Sequence, residues 1–193
     1  MPAPIPTVRP TPVTRAIGRV CSLFVINGNN ALVTRVGITG HTNLAPESVR
    51  MVAAALRTVL TPYSGAGFTG ISCIASGADS IFAEVVLQLG GELEVVLPSA
   101  DYRTRGVKPD QVRQFDELLA RADRVTIMPH ARASRAAYEA ANQVMLDSVD
   151  ILVAVWDGMS SVDQGGTAAV VEQARTRGMA VTVVWPDGAR REE

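Results

Sequence analysis

The chain has 193 residues, 47% of them hydrophobic, and a formal net charge of −1. That length suits one domain plus an extension, and no apolar run reaches the ~18 residues a membrane span needs. Residues 1–35 hold Arg9, Arg15, Arg19 and Arg35 and no acid, while the remainder holds 14 basic and 19 acidic residues, net −5, which argues against bulk nucleic-acid binding.

Residues 1–32 read as an extension. Five prolines within residues 1–12 give an extended tail, and the apolar runs 20–26 and 31–36 flank Asn27-Gly28-Asn29-Asn30 as a weak hairpin signal. A native start near Val33 fits the pattern equally well. The domain proper is expected over 33–187, with a short tail over 188–193. Its two cysteines, Cys21 and Cys73, make no disulfide framework, and a buried thiol at Cys73 points to the cytoplasm.

From residue 35 strand and helix patterns alternate. A strand over 35–39 leads to a helix over 46–60, with Val49, Val52, Leu56 and Leu60 on one face and Pro46 in the first turn. A strand over 70–75 precedes a helix over 79–89 that closes at Gly90-Gly91. Next come a strand over 93–97, a helix over 110–121, a strand over 124–128 and a helix over 134–148. The pattern ends with a strand over 150–156, a helix over 167–177 and a strand over 181–185. The strands are continuous apolar runs, so both faces should be buried, as in a parallel sheet covered by helices. The fold class is α/β: a doubly wound, mostly parallel Rossmann-like sheet with right-handed crossovers. In such folds a ligand sits beyond the carboxyl ends of the strands, where strand order reverses.

The residues after each strand are therefore the candidates. The first strand ends in Thr39-Gly40-His41, where glycine permits a tight turn or a close ligand approach and the histidine could donate to a phosphate or base. The second is followed by Ser76-Gly77-Ala78-Asp79, which reads either as a capping box or as a ligand-facing helix start with Asp79 open to a ribose. The third is followed by Pro98, Tyr102, Arg103, Arg105 and Lys108, a basic loop able to close over phosphates or simply solvated. Tyr138 and Asn142 share a helix face, with the tyrosine read as core. The run 150–156 ends in Trp156-Asp157-Gly158, and Gly165-Gly166-Thr167 opens the next helix. Paired glycines before a helix are costly unless something approaches closely, so this helix start is the best anion site in the chain. Asp157 could accept from a ribose hydroxyl or act as a base or nucleophile. There is no Walker loop, no G-x-G-x-x-G and no metal-ligand spacing, so neither a metal nor a resident cofactor is expected.

Gly37-Ile38-Thr39-Gly40, Ser76-Gly77-Ala78-Asp79, Val96-Leu97-Pro98, the 148–155 run and Gly165-Gly166-Thr167 occur in an order that resembles the SLOG superfamily. That group includes the Smf/DprA proteins and the LOG ("lysine decarboxylase-like") phosphoribohydrolases. The resemblance covers about residues 33–187. It implies a Rossmann-like domain that binds nucleotides or their derivatives. It also implies that the 150–156 strand neighbours the 35–39 strand, with 124–128 displaced to the other edge. LOG enzymes carry a catalytic glutamate three residues after the threonine of their glycine motif, and the matching residue here is Val170. The Asp157-Gly158 and Gly166-Thr167 pairs also resemble nucleoside 2-deoxyribosyltransferases, again without the following glutamate.

Three functions follow as expectations. The first is a binding domain, sensor or carrier, for a small nucleotide-like ligand. The second is an enzyme cleaving an N-glycosidic bond, with Asp157 or Asp79 as its acid, base or nucleophile. The third is an interaction or oligomerisation module. No nucleic-acid or membrane partner is expected, and the chain leaves room for a homodimer or higher homo-oligomer.

Overall fold

The computed structural model of the protein describes residues 33–65, 67–159 and 166–192. The expected extension over 1–32, together with Gly165, lies outside the described residues. Six strands, β1 (Thr34–Gly40), β2 (Phe68–Ser72), β3 (Glu92–Leu97), β4 (Arg124–Ile127), β5 (Ile151–Val155) and β6 (Ala180–Val184), form one sheet. Its order is β4-β3-β2-β1-β5-β6, and every named pair is parallel. β1 therefore lies between β2 and β5, as the resemblance implied, and strand order reverses between β1 and β5.

The helices are α1 (Pro46–Ser64), α2 (Ala78–Gln88), α3 (Tyr102–Arg105), α4 (Val112–Ala120), α5 (Arg135–Asp147) and α6 (Thr167–Thr176). Side-chain alternation along the strands assigns them to two faces. Val36, Ile38, Val153 and Val155 pack with Val52 and Leu56 of α1 and Phe82 and Val86 of α2. Ile71, Val96 and Leu152 pack with Ala141 and Met145 of α5 and Val170 and Ala174 of α6. Burying each such side chain contributes about 1.5–3 kcal/mol, so the two layers hold the sheet from both sides.

Three sequence expectations need correction. β4 is exposed along its whole length, because it is the sheet edge and no described helix covers its outer side. β2 stops at Ser72 rather than continuing to residue 75: Ile74 adopts φ +46°, a left-handed conformation costly for a β-branched residue, and the chain turns there. The basic segment after β3 is not an open loop but contains the short α3 and a 3₁₀ turn, Pro109–Gln111. Among the described residues no helix is long and apolar enough to cross a membrane.

Candidate functional site

The carboxyl ends of β1, β2 and β5 open into a cleft of ≈330 Å³ beside the point where strand order reverses. Two clusters of polar side chains flank it, and each contains an aspartate.

The first cluster forms where β1 and β5 end. The His41 N–H donates to the Val155 carbonyl at 3.1 Å, which fixes the turn out of β1. The His41 Nε2 lies 3.1 Å from Asp157 Oδ1 and 3.3 Å from the Asp157 N–H, and the ring packs edge-on against Trp185 at 5.5 Å. Burial lowers the His41 pKa and the Arg191 charge adds to that, outweighing the pull of Asp157. Asp157 also accepts from the Met159 N–H at 3.0 Å and pairs with Arg191 at 2.9 Å. Burial opposes its charge, but Met159, His41 and Arg191 prevail, and the carboxyl titrates below its ordinary range.

Arg191 comes from the end of the described chain. Residues 188–192, expected as a tail, lie along the loop between β1 and α1. Leu44 and Arg191 form an antiparallel bridge, the Ala45 N–H donates to the Arg190 carbonyl at 3.0 Å, and the Arg190 N–H donates to Ser48 Oγ at 2.7 Å. Sequence reasoning did not find Arg191: two arginines near a chain end carry no signal of a partner 34 residues away.

The second cluster gathers at the end of β2. Asp79, 8% exposed, takes hydrogen bonds from the backbone N–H groups of Cys73 and Ala75, and its Oδ2 lies 3.5 Å from Ser72 Oγ. Ser72 Oγ in turn accepts from the Ile74 N–H at 2.9 Å, so the strained turn and the carboxyl form one unit. Burial pushes the Asp79 pKa up to about 7, against the pull of those three donors. Cys73 is beside it, its thiol held protonated by burial and by the Asp79 charge. Tyr102 of α3 and Tyr138 of α5 close the cluster in an edge-on contact, ring centroids 6.0 Å apart. They meet because Asp101 Oδ1 accepts from both Ser99 Oγ at 2.8 Å and the Ala133 N–H at 2.7 Å, tying the start of α3 to the approach to α5.

Between the clusters α6 turns its N-terminal end to the cleft: Gly166, Thr167 and Ala168 line it, and no side chain among the described residues caps the helix. Uncapped N–H groups and the helix dipole together favour an anion there. Val170, three residues after Thr167, also lines the cleft and is 3% exposed, so an apolar group faces it at this turn of α6. Glu172 is exposed on the outer face of the helix.

Of the expected site residues, Thr39, Gly40, His41, Asp79, Tyr102, Gly166 and Thr167 line the cleft, and Asp157 stands behind His41. Ser76, Gly77, Pro98, Arg103 and Gly158 do not line it; Arg103 makes an exposed bidentate pair with Asp116 at 2.7 Å. Tyr138, read as core, is 37% exposed and lines the cleft with Asn142. The capping box is also corrected: α2 starts after Gly77 with no side-chain cap, Ser76 Oγ bonds Gln111 Oε1, and Asp79 turns to the β2 end. Both glycines serve packing. A Cβ at Gly40 would stand 2.4 Å from Ala78 Cβ, and one at Gly77 would stand 2.5 Å from the His41 carbonyl oxygen. Gly77 in addition needs φ +74°.

No family model and no curated protein matches the sequence. Solved structures do match its fold. DNA processing protein A from Streptococcus pneumoniae is 16% identical, with a TM-score of 0.62 over 82% of this chain and 52% of that one. The chain thus spans about half the length of that protein. DNA processing protein A from Helicobacter pylori is 15% identical, with a TM-score of 0.60 over 82% of this chain and 68% of that one. The molybdenum cofactor binding protein of Rippkaea orientalis is 15% identical, with a TM-score of 0.53 over 80% of this chain and 78% of that one. The likeness to these proteins and the six-stranded parallel sheet together show a Rossmann-like α/β fold.

Proposed function

We propose that the cleft binds a small phosphate-bearing ligand of the nucleotide class, as a sensor or carrier domain in the cytoplasm. One observation carries this: a helix N-terminus uncapped among the described residues opens onto a cleft at the reversal of strand order, together with a cluster of hydrogen-bonding and aromatic groups. The volume, ≈330 Å³, falls in the range of small-molecule sites. The phosphate would sit on Gly166, Thr167 and Ala168, and the ring system would face Asp79, Tyr102 and Tyr138. Two neighbours in fold support different partners: one is described as binding molybdenum cofactor, another as binding single-stranded DNA. The net −5 balance beyond residue 35 favours the small ligand.

Thermal unfolding with nucleoside monophosphates, inorganic phosphate and a single-stranded oligonucleotide tests this. Nucleotides should raise the melting temperature, and Gly166→Val should remove the phosphate-dependent part. A shift with the oligonucleotide alone would replace the small ligand by DNA.

A second reading, cleavage of an N-glycosidic bond, is favoured by the Asp79 carboxyl, which burial places near 7, where a group can both give and take a proton. Val170 stands where the LOG glutamate would be, so Asp79 or Asp157 would have to supply the acid–base chemistry. Release of free base from a nucleoside monophosphate, lost in Asp79→Asn or Asp157→Asn, would establish it; binding without release would leave the sensor or carrier.

A further inference from the structure

The second cluster contains hydrogen-bonding groups that the described residues leave open. Tyr102 is 2% exposed, and its hydroxyl meets no hydrogen-bond partner among the described residues. No buried side-chain oxygen or nitrogen among them lacks a partner, so that hydroxyl opens into the cleft that Tyr102 lines. The Tyr138 hydroxyl and the Asn142 amide, on the same cleft, also meet no partner among the described residues. Asp79 differs in kind. Its described neighbours, the Cys73 and Ala75 N–H groups and the Ser72 hydroxyl, donate to it. The two backbone N–H groups can only donate, so they favour the ionised form, while the Ser72 hydroxyl, also 3.2 Å from the Asp79 backbone carbonyl, can serve either form. Among the described residues the ionised form lacks a counter-charge, because no arginine or lysine of theirs lines the cleft. A ligand that brings N–H donors would supply what is missing.

We propose that this cluster is a base-recognition subsite in which the Asp79 carboxylate accepts the two adjacent N–H donors of a guanine ring, N1–H and the 2-amino group, with the Tyr102 hydroxyl and the Asn142 amide bonding the rest of its polar edge. This rests on the nucleotide-binding reading above and names its base. Hypoxanthine offers one donor on that edge. Adenine offers a donor beside an acceptor and would need protonated Asp79. The two classes therefore differ in proton linkage: guanine binding near neutral pH releases protons from Asp79, and adenine binding takes them up.

Calorimetry of the full chain with GMP, IMP and AMP, in two buffers of different ionisation heat, tests the subsite. GMP should bind roughly tenfold tighter than IMP and roughly 10- to 100-fold tighter than AMP, with proton release. Asp79→Asn should flatten the ranking. Tyr102→Phe removes a hydroxyl without an internal partner, so it should keep the melting temperature and weaken GMP roughly 3- to 10-fold. Equal affinity for the three nucleotides, or a ranking unchanged in Asp79→Asn, overturns the subsite and leaves nucleotide binding standing. Should Asp79→Asn fail to fold, unweakened GMP binding in Tyr102→Phe overturns it. Guanosine binding ahead of inosine and adenosine, with no gain from the phosphate, upholds the subsite and removes the phosphate site instead. No binding of any nucleoside or nucleotide overturns both.

Discussion

Two aspartates stand at one cleft in opposite electrostatic states. Asp157, at the end of β5, is held ionised by Arg191, by His41 and by the Met159 N–H. Asp79, at the start of α2, has neutral donors around it among the described residues, and burial lifts its carboxyl to about 7. The residue type is the same, and the difference lies in the balance: burial prevails at Asp79, while at Asp157 the Met159 N–H, His41 and Arg191 together outweigh it. A carboxylate already satisfied by its own chain has a structural part to play, and one left without a counter-charge is open to a ligand. By that criterion Asp79 is the group to watch in this cleft, and Asp157 holds the frame around it.

The clusters meet at one point, where the Ala78 N–H donates to the His41 carbonyl at 3.1 Å. Breaking that junction should have the largest effect. Gly77→Ala puts a Cβ 2.5 Å from the His41 carbonyl oxygen at a residue with φ +74°. Chemical denaturation should show a loss of roughly 3 kcal/mol or more, from strain and overpacking together. A loss under roughly 1 kcal/mol would mean that the two clusters are not rigidly joined.

The next effect separates the aspartates by pH. The folded Asp79 pKa is raised from 3.8 to about 7, so the native state binds the extra proton between those values. Its contribution is fully present below about pH 4 and is lost as pH rises toward about 7, on the order of a few kcal/mol. His41 works the other way: its lowered folded pKa gives stability that is present above 6.5 and lost as pH falls. Asp157, lowered from 3.8, gives stability lost only in stronger acid. Wild type minus Asp79→Asn isolates the first of these. The difference in denaturation midpoint should change steadily between pH 4 and pH 7; a flat difference would place the Asp79 carboxyl in its ordinary range.

A smaller effect belongs to Arg191→Ala. It removes a partly exposed ion pair worth about 1 kcal/mol and takes away one of the influences lowering His41. Proton NMR of the two histidines, His41 and His130, should show the His41 titration moving up. No movement would mean that Arg191 does not reach the His41–Asp157 pair. Smallest is Arg103→Ala. Arg103 is spent on Asp116 in an exposed pair and does not line the cleft, so any nucleotide-induced melting shift should be unchanged. A reduced shift would bring the basic segment after β3 into the site.

Periodicity made the element order and the faces of the helices legible, because Val52, Leu56 and Leu60 or Phe82 and Val86 fall on one side of a helix wherever it packs. Placing β5 beside β1 came from the resemblance, not from periodicity. The glycine-opened α6 was legible from its own residues. The state of each aspartate was not. For Asp157 it depends on the Met159 N–H, His41 and Arg191, which the fold brings to one carboxyl, and for Asp79 on the turn at Ile74, where an apolar run that reads as strand breaks off. Gly40 showed the limit of single residues: as a ligand-approach glycine and as a packing glycine it looks the same until Ala78 is seen against it.

One measurement addresses the whole cleft: amide chemical shifts of the labelled protein titrated with GMP. A single nucleotide lying between the clusters should move Thr167 and Ala168 at the α6 start together with Cys73, Ala75 and Asp79, at one common dissociation constant. Shifts confined to the α6 start, or elsewhere in the protein, would contradict a nucleotide-sized site in this cleft.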